Sequence, residues 1–182
     1  MKKVIPVVIT VVLIAGGIGI YLITKKDATK TDTTSQQKSS TTSFKVINAC
    51  DALLQTDADA ILGTGAKKTD SSSGATSSSD VQVTTCGYFV STPTYRSAMI
   101  LARAAKTDDG AETNKTQFAS GKPTDAITVN GFGDAAYWSP TYGQLNILAH
   151  NNWYILTNGT GRPADAKVDD ARALATQVMA RL

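Results

Sequence analysis

Cysteine and histidine are almost absent from this chain of 182 residues, which holds two Cys and one His. With so few ligands neither a metal site nor a metal cofactor is expected, and no C-x-x-C spacing points to dithiol chemistry. No G-x-S-x-G occurs, and the serines crowd into two low-complexity stretches, which argues against a serine hydrolase. Basic residues are not in excess where a fold could form. Residues 1–43 hold six Lys against two Asp, leaving 12 basic and 13 acidic residues for the remainder of a chain whose formal net charge is +3. A near-neutral domain lacks the electrostatic footprint of a nucleic-acid binder. Acid is missing altogether before Asp27.

What stands in that acid-free region is a run of 20 uncharged residues, Val4 to Ile23, between Lys2-Lys3 and Lys25-Lys26. A helix of that length spans about 30 Å, the hydrocarbon thickness of a bilayer. A cleavable signal peptide competes with this reading. Apolarity continues past Ala15-Gly16-Gly17 into Ile18, Ile20, Leu22 and Ile23, however, so a retained single-pass anchor over residues 1–26 is expected. A type IV pilin helix would carry a glutamate near its start, and an acyl anchor would need a cysteine before Cys50. The Lys pairs on the two flanks give no orientation bias. Cys50 and Cys86 lie 36 positions apart, and a disulfide between them fits an exported domain. Two unpaired buried thiols are the alternative.

Residues 27–43, "DATKTDTTSQQKSSTTS", contain no large apolar side chain and read as a solvated linker with ends roughly 20–25 Å apart. The domain then covers residues 44–182, with a Ser-rich loop over residues 63–80. Asn48 to Leu62 reads as a helix with a Thr56/Asp59 capping box, stopped by Gly63. Val81 to Ser91 alternates as a strand does. Tyr95 to Lys106 reads as a second strand, with helix as a rival because of its alanines. Asp109 to Ser120 reads as a helix. Ala126 to Val129, Ala135 to Ser139, Gln144 to Ala149 and Trp153 to Thr157 read as strands, the last two joined by a turn at Asn151-Asn152. Pro163 opens a last helix, whose Val168, Ala171, Leu174, Ala175, Val178, Met179 and Leu182 form an apolar stripe. The expected fold is α+β, an antiparallel sheet packed by the C-terminal helix.

Three patterns carry candidate chemistry. Gly131-Phe132-Gly133-Asp134-Ala135-Ala136 matches the G-x-G-x-x-A form of the dinucleotide fingerprint after a strand. That motif needs a helix next and an acid about twenty residues on. Ser139-Pro140 and a further strand follow instead, so the glycines are expected to turn a corner between strands, and no nucleotide cofactor is expected. Cys86 followed by His150 has the chain order of cell-wall cysteine hydrolases, an alternative that a disulfide would remove. Tyr137, Trp138, Tyr142 and Trp153 cluster in one sheet region. Core packing accounts for most of them, and one or two are candidates to line a groove for glycan or peptide. The sequons at Asn114 and Asn158 carry no weight by themselves.

"ACDALLQTDADAILG" (Ala49 to Gly63), "CGY" (Cys86 to Tyr88), "VNGFGDAAYW" (Val129 to Trp138) and "ARALATQVMARL" (Ala171 to Leu182) occur in an order that resembles a group of bacterial cell-envelope, lipoprotein-like domains of unknown function. These are similar to extracytoplasmic sensor-like domains of bacterial Ser/Thr kinases. The resemblance implies structural cysteines and an extracytoplasmic, non-enzymatic binding or sensing module. It supplies no active-site residues. The chain departs from the group by lacking a lipobox. Expected partners are the membrane, through the N-terminal helix, and an envelope protein or cell-wall glycan.

Overall fold

The computed structural model of the chain describes residues 43–69, 76–159 and 163–182. The described residues fall in one compact unit. The apolar run Val4 to Ile23 and the linker up to residue 42 lie outside the described residues. Among those described, no helix is long and apolar enough to cross a membrane.

The domain is α+β, with one antiparallel sheet. Its strands are β1 (Lys67–Lys68), β2 (Thr76–Ser77), β3 (Val81–Val90), β4 (Arg96–Ala105), β5 (Ile127–Thr128), β6 (Ala135–Ser139), β7 (Gln144–Ala149) and β8 (Asn152–Gly159). They lie in the order β1–β3–β4–β8–β7–β6–β5, with β2 also paired to β3. The Ser-rich stretch expected as a loop therefore contributes two short edge strands. β4 is a strand despite its alanines because it lies between β3 and β8, where tertiary packing overrides propensity. Ala98, Ala102 and Ala104 are fully buried, and their small side chains let helices approach the sheet.

Those helices are α1 (Ala49–Ala52), α2 (Gln55–Leu62) and α4 (Val168–Met179), which share one apolar core with Ile100, Leu145, Ile147, Tyr154 and Leu156. In α4 the expected stripe holds: Ala171, Leu174, Ala175 and Val178 are fully buried. Pro163 does not open α4. It starts a 3-10 turn over Pro163–Asp165, and the helix begins after Lys167.

The single helix expected over Asn48 to Leu62 is split. Leu53 and Leu54 are extended, which sends the Leu53 side chain into the core. The restart uses Asp57, whose carboxylate accepts from the Leu54 N–H at 3.0 Å. Asp59, expected in the capping box, instead accepts from the N–H groups of Gly65 and Ala66 at 3.1 Å and shapes the turn after α2.

Asp57 also receives both guanidinium nitrogens of Arg181, at 2.6 and 2.9 Å, clamping the end of α4 to α2. The Arg96 guanidinium donates to the Ile61 carbonyl at 2.8 Å near the C-terminus of α2. Cys50 and Cys86 form a disulfide that ties α1 to β3. Beside it the Thr84 hydroxyl donates to the Ile47 carbonyl at 2.9 Å and accepts from the Ala49 N–H at 3.0 Å.

The opposite face of the sheet carries α3 (Asp108–Ser120), a second layer beyond the expected one-helix cover. Thr107 caps α3 by accepting from the Gly110 N–H at 3.1 Å. Gly110 is needed for close approach, since a Cβ there would meet the Asp80 carbonyl oxygen at 2.0 Å. The β7–β8 turn is displaced by one residue from Asn151-Asn152. His150 and Asn151 hold the positive φ angles, 50° and 67°, as a two-residue hairpin loop requires. Asn152 enters β8, where its amide oxygen accepts from the Ala105 N–H at 2.9 Å.

Candidate functional site

Strand alternation fixes which side chains meet α3. In β6, Ala136 and Trp138 face the helical core, so Ala135 and Tyr137 face α3. Cross-strand pairing puts Thr128 beside Tyr137 on that face. The C-terminal half of α3 brings Phe118 against Tyr137, ring centres 4.9 Å apart at 52°. Just past the helix end, the Lys122 ammonium lies 5.9 Å from the Tyr137 ring centre. These residues and the loop 129–136 enclose a notch of about 390 Å³. Tyr137 is 2% and Phe118 8% exposed, whereas Lys122 and Asp134 are exposed at the rim. Burial raises the Tyr137 hydroxyl above its ordinary pKa, so the floor is neutral over the physiological range.

The loop wall is the stretch that resembles a dinucleotide fingerprint. Gly131 and Gly133 have φ of +92° and +55°, and β6 rather than a helix follows them. They turn the corner, as the sequence suggested. Their constraints differ. A Cβ on Gly131 would meet nothing within 4 Å, whereas one on Gly133 would lie 2.4 Å from the Leu148 carbonyl oxygen. That same carbonyl accepts from the Asp134 N–H at 2.7 Å. The loop is thus pinned to β7 at its C-terminal end and open at Gly131.

The four aromatics singled out in the sequence do not line one groove. Tyr137 forms part of the notch wall. Trp153 lies on the same sheet face, edge-on to Phe118 at 6.4 Å, with its indole N–H donating to Asn146 Oδ1 at 3.0 Å. Trp138 is buried in the core on the other face, and Tyr142 is 56% exposed in the β6–β7 turn. The notch residues outside every pattern the sequence singled out are Phe118, Lys122 and Thr128. The glycine pair, which had to hold a loop in a fixed path, was the available signal.

Beside the notch, α3 sits on a polar seam. Asn114, fully buried, donates to the carbonyls of Arg103 and Asn151 at 3.0 Å and accepts from Arg103 Nε at 3.3 Å. The Arg103 guanidinium is 5.6 Å from the Trp153 ring centre, and desolvation lowers its pKa. Asn158 is 3% exposed and donates to the Asp170 carbonyl at 2.9 Å. Both sequon asparagines are therefore structural amides.

Cys86 is fully buried and bonded to Cys50, and no described cysteine is free. His150 is exposed on the β7–β8 turn. The pair expected for the alternative hydrolase thus has no thiolate to activate. Comparison of the chain with protein families, with curated proteins and with solved structures finds no match.

Proposed function

We propose that the chain is a non-enzymatic binding or sensing module of the bacterial cell envelope. Val4 to Ile23 anchors it as a single membrane pass, and the domain from residue 44 stands outside. The observation that carries the reading is the notch between the end of α3 and the Gly131–Gly133 loop. Its neutral floor and its exposed rim residues Lys122 and Asp134 suit recognition of a polar ligand. The Cys50–Cys86 bond fits an oxidising compartment, and it leaves the cysteine-hydrolase alternative without a nucleophile. The resemblance to extracytoplasmic sensor-like domains points the same way.

Two measurements on the full chain test this reading. Fractionation should recover it in the membrane with its N-terminus intact, and release of a fragment beginning after Ala15 or Gly17 would refute the anchor. Envelope glycans and peptides captured by the chain should be lost with Ala135→Trp, which fills the notch from an exposed strand position. Capture that ignores this substitution would refute the site.

A further inference from the structure

Resting on the reading that the notch is the ligand site, we propose that its occupant is a short zwitterionic peptide, its carboxylate on Lys122 and its ammonium on Asp134. Both side chains are exposed and line the same notch. Among the described residues no salt bridge joins Lys122 to Asp134, the ion pair there being Arg181 with Asp57, so neither rim charge is held by the other in direct contact. A purely anionic ligand would meet repulsion from Asp134 and a purely cationic one from Lys122. A ligand carrying both charges satisfies both.

The floor between the charges decides against a neutral sugar. Carbohydrate stacking needs an aromatic face open to the ligand, and here Tyr137 and Phe118 are 2% and 8% exposed and pack on each other, while the half-buried Phe132 packs against the helical core. Besides Lys122 and Asp134, the exposed part of the lining is Thr128, Asn130, the small Ala135 and the loop backbone around Gly131. These suit peptide amides and small side chains. A volume of about 390 Å³ lies at the small end of ligand sites, roughly 300–1,000 Å³, which limits the peptide to a few small residues.

The test is calorimetric titration of the full chain in detergent micelles with three probes. These are alanyl-alanine, its N-acetylated C-terminal amide, and N-acetylglucosamine trimer. The free dipeptide should bind, with affinity falling as salt rises. The capped dipeptide should not bind. Lys122→Met and Asp134→Asn should each weaken the free dipeptide by about tenfold or more, as expected for a charge-assisted contact. Both positions are exposed, so unchanged melting curves show that folding is intact, and the capped-versus-free comparison needs no variant. Equal binding of the capped and free forms, or no binding of either peptide, would overturn the proposal. Trimer binding abolished by Ala135→Trp would overturn the peptide while leaving the notch as the site. Binding of any probe that ignores Ala135→Trp would remove the notch reading itself.

Discussion

The sheet face beneath α1, α2 and α4 and the face beneath α3 bury different kinds of side chain. On the first, Ile100, Leu145, Ile147 and Leu156 meet Leu174 and Val178 in a continuous apolar core, locked at its edges by the Cys50–Cys86 bond and the Asp57–Arg181 pair. On the second, the aromatics Phe118, Tyr137 and Trp153 pack beside buried or half-buried polar groups, with Asn114 bonded to Arg103 and Asn146 to Trp153. The helix stops short enough to leave the notch beyond Phe118. Apolar burial is non-directional and tolerates a sealed face, whereas polar packing demands specific partners and leaves room only where they are met. The apolar core with its disulfide and ion pair thus lies on one face, and the notch on the other.

The largest expected effect falls on the sealed face. Reducing the disulfide, or replacing both cysteines by serine, should destabilise the domain by about 4 kcal/mol, from loop closure over the 36-residue separation. Chemical denaturation with and without reductant measures it. A loss under 1 kcal/mol would mean that α1 is not an integral part of the core. Next, Arg181→Ala should cost about 2 kcal/mol, because it leaves the buried Asp57 carboxylate without its charged partner, less than a fully buried pair would cost since the Arg181 side chain is 32% exposed. Asp57→Asn with Arg181→Ala should recover part of that loss. Strict additivity of the two would show the pair to be uncoupled.

The notch wall sharpens the comparison within a single loop. Gly133→Ala should cost about 2 kcal/mol or more, since backbone strain and overlap with the Leu148 carbonyl add. Gly131→Ala should cost about 1 kcal/mol, from its positive φ alone. Equal melting temperatures for the two variants would contradict the pinned-and-open description of the loop.

The smallest effect concerns alkali. Burial raises the pKa of Tyr88, Tyr137 and Tyr154 above the ordinary value. Their stabilising contribution is complete below the unfolded pKa of about 10 and is lost as pH rises from there through the folded values. Stability should therefore fall from about pH 10 upward, and Tyr154→Phe should flatten that fall. A pH profile unchanged by Tyr154→Phe would contradict it.

Legibility in the sequence followed the same division. The core face writes itself as periodicity: the α4 stripe and the alternation in β3, β7 and β8 are simple patterns of apolar residues, and the antiparallel sheet follows from them. The breaks came where a polar group decided the path. Asp57 splits the first helix by capping Leu54 and holding Arg181, a partner 124 positions away that no local pattern reveals. The His150–Asn151 turn slipped one residue because Asn152 is claimed by the Ala105 N–H. The α3 face was the least legible for the same reason. Phe118, Lys122 and Asp134 converge only through tertiary packing, and only the glycine pair advertised that the chain there must follow one path.

Hydrogen exchange read by mass spectrometry, on the full chain with and without alanyl-alanine, tests the division of the two faces most directly. Ligand-dependent protection should be confined to segments 117–122 and 128–137, with α1, α2 and α4 exchanging as slowly as before. Protection centred on His150 and the Cys50–Cys86 region, or spread evenly over both faces, would contradict it.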